Sequence, residues 1–327
     1  LSMTAEDEQV PSRDGSVVED EQPEERQPVE KNQYSLDIFA DTDESIDLTM
    51  VRADHVPDLT RFKQLKELTI KTNLLKEMGP NLAVLTTLVE LDLYENQLAE
   101  IANLAPLVNL RKLDLSYNRI RVISGLDTLV GLQELYLVHN KIGEITGLQA
   151  LSSLKLLELG DNRIKEIKGI AHLTQLEQLY IGKNKIGKMQ GVETLTQLTK
   201  LSLSANRMTK IEGIERLTKL EELHIAEQGF QTLEGLPVLP ALRLIDISNN
   251  ELTSLGGLEQ LKTLEDVWAN DNKITSWSEV DKLAGLENLD TVYLERNPIY
   301  NDDRTGYRRK VMLALPHVKQ IDATNCR

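Results

Sequence analysis

The sequence predicts an α/β solenoid: stacked turns of about 22 residues, a parallel sheet on the concave side, 3₁₀ or short helical turns on the convex side, and a cap at the C-terminal end. Three observations predict it. An asparagine returns every 22 residues, at Asn96, Asn118, Asn140, Asn162, Asn184 and Asn206, gives way once to Gln228, and resumes at Asn250 and Asn272. Ahead of each lies one pattern, as in Leu88-Val-Glu-Leu91-Asp-Leu93-Tyr-Glu-Asn96, the L-x-x-L-x-L-x-x-N of a leucine-rich repeat. Seven residues after the asparagine stands a glycine, at 125, 147, 169, 191, 213, 235 and 257.

The first element, residues 1–45, reads as an acidic, disordered tail. It holds 14 acidic and 3 basic residues, a net −11 of the chain's −15, and few large apolar side chains to offset the entropy of ordering. From residue 46 to 297 we expect about twelve repeats. Within each, leucines such as Leu91 and Leu93 alternate with Asp92 at the period of a strand, so the leucines enter the core and the aspartate faces out. Behind the strand, Leu98, Ile101, Leu104, Leu107 and Leu110 recur every three residues, which fits 3₁₀ or tight turns better than a long α-helix. The asparagine amide supplies donors and an acceptor to backbone groups in the turn after the strand. The longer Gln228 should make a local irregularity. The glycines, with Asn103 and Asn81 in their place in the earlier repeats, mark a left-handed turn into the convex segment. Residues 298–327 form the cap, with Val311, Leu315 and Val318 covering the last repeat.

If the leucines point in, three columns face a partner. The central one, four residues before each asparagine, holds Asp92, Asp114, Tyr136, Glu158, Tyr180, Ser202, His224, Asp246, Trp268 and Tyr293. The column before it brings Glu67, Glu90 and Asp266; the column after it brings Tyr94. In a chain with only 4% aromatic residues, aligned Tyr and Trp among carboxylates are the large, rigid contacts an interface core uses. The acidic sign disfavours nucleic acid, which is held through basic contacts to phosphate, and favours a basic protein surface. Five scattered histidines give no metal-ligand spacing, and no phosphate loop or nucleophile elbow is present. We therefore expect no enzymatic activity, no cofactor, no metal and no membrane partner, and a monomer when free. One cysteine, Cys326, and the absence of a signal-like start suit a reducing compartment, the nucleus and cytoplasm.

Several segments carry a closer resemblance: Asn-Asp-Asn272-Lys-Ile with Ser-Trp277-Ser, Thr-Val-Tyr293-Leu-Glu-Arg-Asn297-Pro, and Tyr307-Arg-Arg-Lys-Val-Met-Leu-Ala-Leu-Pro316 with Gln320-Ile-Asp. Across residues 46–327 the chain resembles the SDS-twenty-two family of leucine-rich-repeat regulatory subunits of protein phosphatase 1. The resemblance implies a non-catalytic partner of the phosphatase catalytic subunit that binds it through the concave face and controls its activity, maturation or location, in the nucleus and in mitosis, with a third, inhibitor protein as a further partner. The family's contact positions fall on Asp114, Tyr136, Glu158, Tyr180, Asp246, Asp266, Trp268 and Tyr293. Tyrosine stands at 136 and 180 where the family has phenylalanine, and Asp266 is a methylene shorter than the family's glutamate. The alternative reading is an RNA-processing or cytoskeletal scaffold that binds another protein.

Overall fold

A buried asparagine side chain closes nearly every repeat of this chain, with Gln228 in its place once. In the computed structural model, which describes residues 30–326, Asn162 Nδ2 donates to the carbonyls of Leu137, Leu159 and Gly160 at 2.9, 3.1 and 3.2 Å. Its Oδ1 accepts from Ile142 N of the preceding repeat at 3.0 Å. The same bonds recur at Asn118, Asn140, Asn184, Asn250 and Asn272. Each amide thus satisfies groups of its own turn and of the turn before, and the repeats lock in register.

That register makes one sheet of fourteen short strands in sequence order. They are β1 Ser45–Asp47, β2 Glu67–Thr69, β3 Glu90–Asp92, β4 Lys112–Asp114, β5 Glu134–Tyr136, β6 Leu156–Glu158, β7 Gln178–Tyr180, β8 Lys200–Ser202, β9 Glu222–His224, β10 Leu244–Asp246, β11 Asp266–Trp268, β12 Thr291–Tyr293, β13 Gln320–Ile321 and β14 Thr324–Asn325. All pairings are parallel until β14, which turns back antiparallel on β13. In every three-residue strand the middle side chain is buried and the outer two face the open side. One continuous Leu/Ile core runs behind the sheet from Ile46 to Ile321. The period-three leucines behind it close successive i to i+3 turns: Leu107 N donates to Leu104 O and Leu110 N to Leu107 O. Most repeats keep these as separate turns; 3₁₀ helices occur at Pro80–Val84, Leu258–Gln260 and Lys282–Gly285, and one short helix, α1, at Trp277–Asp281.

The glycines at the turn into the convex side have φ from +68° to +103°. At Gly191 an added Cβ would come within 2.0 Å of Ile167 O, so the close approach of the preceding turn demands glycine beyond the φ alone. Asn103 takes the same left-handed conformation at φ +61°. Asn81 does not: it lies inside the 3₁₀ helix Pro80–Val84 and uses its amide to donate to Val56 O, while Gly79 carries the positive φ. The left-handed turn thus stands two positions earlier than the sequence pattern placed it.

Gln228 does produce a local irregularity, but it keeps the ladder. Its Nε2 donates to Leu203 O at 2.6 Å and its Oε1 accepts from Met208 N, the bonds an asparagine would make. The extra methylene is absorbed next door, where Gly229 adopts φ +85° and Asn250 Oδ1 collects the N–H groups of Gln228, Gly229 and Phe230.

Of the acidic segment expected to be disordered, residues 1–29 lie outside the described residues. The remainder corrects the boundary. Asn32 N and Gln33 N donate to Arg52 O and Val51 O, and Tyr34, Leu36 and Phe39 pack against the core. Phe39 meets Phe62 edge-on at 6.5 Å, and Arg61 spans Leu36 O and Phe39 O. Residues 31–44 therefore cover the first turn. At the other end, α2 Pro298–Asn301 and α3 Arg304–Ala314 bury Tyr307, Val311, Leu315 and Val318 over the last repeat, as the sequence pattern predicts.

Replacing Asn162 by alanine would strand Ile142 N in the interior and take one of two amide donors from Leu137 O and from Leu159 O, which keep Asn140 and Asn184. The expected cost is about 1–3 kcal/mol, read as a lower urea midpoint at unchanged slope. An unaltered midpoint would contradict the ladder's role.

Candidate functional site

The strand register sets the site. Because β4 through β12 pair in step, Asp114, Tyr136, Glu158 and Tyr180 occupy successive rungs of one row, followed by Ser202, His224, Asp246, Trp268 and Tyr293. At about 4.8 Å per strand the row extends about 38 Å along the sheet. Asp266 stands at the first position of β11, in the neighbouring row beside Leu244 and Thr291. All eight residues singled out from the sequence thus face the open side of the sheet, and all are half-buried.

Two clusters divide the row. In the first, rings alternate with carboxylates. Tyr136 Oη donates to Glu134 Oε2 at 2.9 Å, and Lys112 Nζ lies 6.0 Å from the Tyr136 ring centre. Burial, reinforced by that hydrogen bond, raises the Tyr136 hydroxyl well above its usual value, so it remains a neutral donor. Tyr180 Oη donates to Gln178 Oε1 at 2.9 Å. The hydroxyls that distinguish these rings from phenylalanine are therefore satisfied within their own strands. Asp114 accepts from Ser116 N at 2.8 Å and Glu158 from Gly160 N at 3.2 Å, and neither forms an ion pair among the described residues. Burial raises Asp114 above the ordinary aspartate value, with the Asp92 charge adding to it despite the Ser116 bonds. Burial likewise pushes Glu158 up to about 7, opposed by the Gly160 N–H and helped by the Asp114 charge.

The second cluster is aromatic. Trp268 packs edge-on between His224 and Tyr293, each with centroids at 6.0 Å. Gln320 Nε2 of β13 donates to Tyr293 Oη at 3.0 Å, tying the ring to the cap. His224 Nδ1 lies 3.6 Å from Asp246 Oδ2 and its Nε2 3.7 Å from Glu222 Oε2. Burial works against the Asp246 carboxylate, but its bonds from His224 and Ser248 outweigh that and hold it below the usual range. Sequence reasoning placed His224 in the central column and Ser248 in the column after it, both without a role, and named Gln320 only within the C-terminal segment, without its contact to Tyr293. The i to i+2 spacing of Asp246 and Ser248 after a strand was the available signal; Gln320 had none, since its contact spans 27 residues. Asp266 carries no ion pair among the described residues, so it presents a free carboxylate beside Trp268. Among the described residues this open face gathers contact groups around a shallow, open hollow lined by Glu67, Glu90, Asp92, Lys112 and Asp114.

Known proteins share the fold that carries this face. The family described as "Leucine Rich repeats (2 copies)" matches residues 108–150 and 152–194, and the family described as "Leucine-rich repeat" matches residues 223–327. The chain is a leucine-rich-repeat protein. An internalin from Listeria monocytogenes superposes with a TM-score of 0.70 at 22% identity, over 86% of this chain and 87% of that one. A leucine-rich-repeat protein of Leptospira interrogans gives 0.64 at 25% identity, over 82% and 75%. These likenesses bear on the fold. The "Protein phosphatase 1 regulatory subunit SDS22 homolog" of Caenorhabditis elegans is 54% identical over 80 residues, 24% of this chain and 24% of that protein. The human "Protein phosphatase 1 regulatory subunit 7" is 65% identical over 48 residues, 15% of this chain and 13% of that protein. The aligned stretches thus span a quarter or less of these relatives' length.

A carboxyl raised on folding stabilises the fold while protonated. For Glu158 that contribution is full below the ordinary 4.5 and is lost as pH rises through about 7. Glu158→Gln should therefore melt higher than the parent protein near pH 8 and alongside it near pH 4.5. A difference that stays constant across this range would contradict the assignment.

Proposed function

We propose that this chain is a non-catalytic regulatory subunit that binds the catalytic subunit of protein phosphatase 1 across its concave face and controls that enzyme's activity, maturation or location. The relatives' printed names supply the partner. The observation that carries the binding face is the pairing of unsatisfied charge with rigid apolar area: among the described residues Asp114, Glu158 and Asp266 form no ion pair, Asp114 and Glu158 alternate with Tyr136 and Tyr180 in one row, and Asp266 stands in the adjoining row next to Trp268 and Tyr293. Half-buried carboxylates without counterions gain from a basic partner, whose charges both steer the encounter and neutralise them. The rings lose little side-chain entropy on contact. Two rows about 38 Å long are enough for an interface of ordinary size, about 800 Å² per partner.

The polar groups at this face bind and orient; they have no reaction to perform. Asp246 is held by His224 and Ser248, and Tyr293 by Gln320, so the Trp268 end of the face is pre-organised before a partner arrives. The Asp114–Glu158 end is electrostatically unsatisfied and is the part a basic surface would stabilise most. On the same reading the protein acts in the nucleus and cytoplasm, and a third, inhibitor protein joins the assembly.

Trp268 is the expected hot spot. In a binding titration with purified phosphatase 1 catalytic subunit, Trp268→Ala with Tyr293→Ala should cost more than about 2 kcal/mol, roughly thirtyfold in affinity. Equal affinity for parent and double variant would move the contact away from this cluster, and no binding by either would remove the phosphatase as the partner.

A further inference from the structure

Next to the ladder asparagines, outside the three strand columns, runs a row of one charge. The residue directly after the asparagine is Arg119, Lys141, Arg163, Lys185 and Arg207 in five consecutive repeats. The backbone stacks them as rungs. Arg119 N donates to Leu98 O, Lys141 N to Ile120 O, Arg163 N to Ile142 O, Lys185 N to Ile164 O and Arg207 N to Ile186 O, all at 2.8–2.9 Å. At one strand spacing per rung the ridge is about 19 Å long. Four of the side chains are exposed and Lys141 is half-buried. The row has sharp ends, with Gln97 before it and Gly229 after it.

Elsewhere this protein resolves adjacent-rung charges by pairing opposites. Lys155 meets Glu177 at 3.2 Å, Lys200 meets Glu222 at 2.8 Å, Arg243 meets Glu265 at 2.7 Å, and Lys273 in the same row meets Glu251 at 3.7 Å. Among the described residues none of the five ridge cations has such a partner. Carboxylates in the same repeats are engaged by other groups: Asp161 holds His139 at 2.6 Å, and Glu144 and Glu166 face Lys168. Five like charges spaced well within a Debye length of about 8 Å repel one another, in a chain whose net charge is −15. This is a local conflict that the fold itself does not require, which marks it as a binding feature.

We propose that this ridge docks an extended, acidic segment of a partner protein. A straight ridge of about 19 Å matches an extended peptide, whose same-side carboxylates recur about every 6.6 Å. Single-stranded nucleic acid fits less well, because it uses open aromatic faces as stacking platforms. The rings beside the ridge are occupied with each other: Tyr94 lies 4.9 Å from Tyr117, and Tyr117 stacks on His139 at 4.8 Å and 19°. The ridge uses none of the concave residues assigned to the phosphatase, so the inference stands independently of that reading and allows both partners at once.

The test uses the full chain and a fluorescein-labelled twelve-residue poly-glutamate peptide, with a twelve-nucleotide oligouridylate carrying the same label, by fluorescence anisotropy at low and at physiological salt. The parent protein should bind the peptide, more weakly as salt rises. Arg119→Glu/Arg163→Glu/Arg207→Glu should lose at least about tenfold in affinity. A variant with the same charge change off the ridge, Lys63→Glu/Lys76→Glu/Arg309→Glu, should bind like the parent, and matching melting curves confirm that all three proteins are folded. No peptide binding by the parent, equal binding by the ridge variant, or tighter binding of the oligouridylate than of the peptide would each overturn the proposal.

Discussion

The buried asparagine amide is the interaction on which the rest of this structure depends. A three-residue strand followed at once by a turn leaves carbonyls and N–H groups pointing into a leucine core, where an unpartnered polar group is costly. The amide has enough donors and acceptors to satisfy its own turn and the preceding one together, and its length admits only one register between them. The left-handed residue just before it, Thr72, Glu95, Tyr117 and their equivalents with φ between 51° and 58°, swings that side chain inward. Gln228 shows that the demand is for the amide: with one more methylene the bonds to the neighbouring turn, with Leu203 O and Met208 N, still form, and the backbone beside it gives way.

Fixed register turns sequence columns into rows on a surface, and each row acquires its own chemistry. The row four residues before the asparagine carries carboxylates and rings. The row one residue after it carries five cations. The two lie on either side of the ladder asparagine in sequence, and among the described residues no ion pair joins the five cations to the carboxylates of the concave row. The consequence is a scaffold that carries two rows of opposite charge, which the proposals above assign to two partners.

Much of this was legible in the sequence, for physical reasons that also explain the misses. Leu91, Leu93 and Asn96 reveal the fold because burial and amide bonding admit few substitutes. Gly191 reveals its turn because a Cβ would collide with Ile167 O. The outward-facing residues of the concave rows followed directly, since strand alternation decides which side chains face out. The positive-φ residue before the asparagine was not legible: Thr, Glu, Tyr, His, Asp, Lys, Ala and Arg all occupy it, because the stacked backbone overrides their preference. The start of the ordered chain was missed because a few side chains, Tyr34, Leu36 and Phe39, sit within an acidic stretch whose average composition argues for disorder. The basic row escaped notice because net charge and strand columns both average over it.

The central claim is that partner contact occurs on the sheet face that the ladder registers. A photo-crosslinking amino acid placed at Ser202, in the middle of the concave row, tests it directly against one placed at Val130, which is 56% exposed in the turns behind the core. With phosphatase 1 catalytic subunit present, the account predicts a crosslinked complex from position 202 and none from position 130. Crosslinking from position 130 alone, or equally from both, would contradict it.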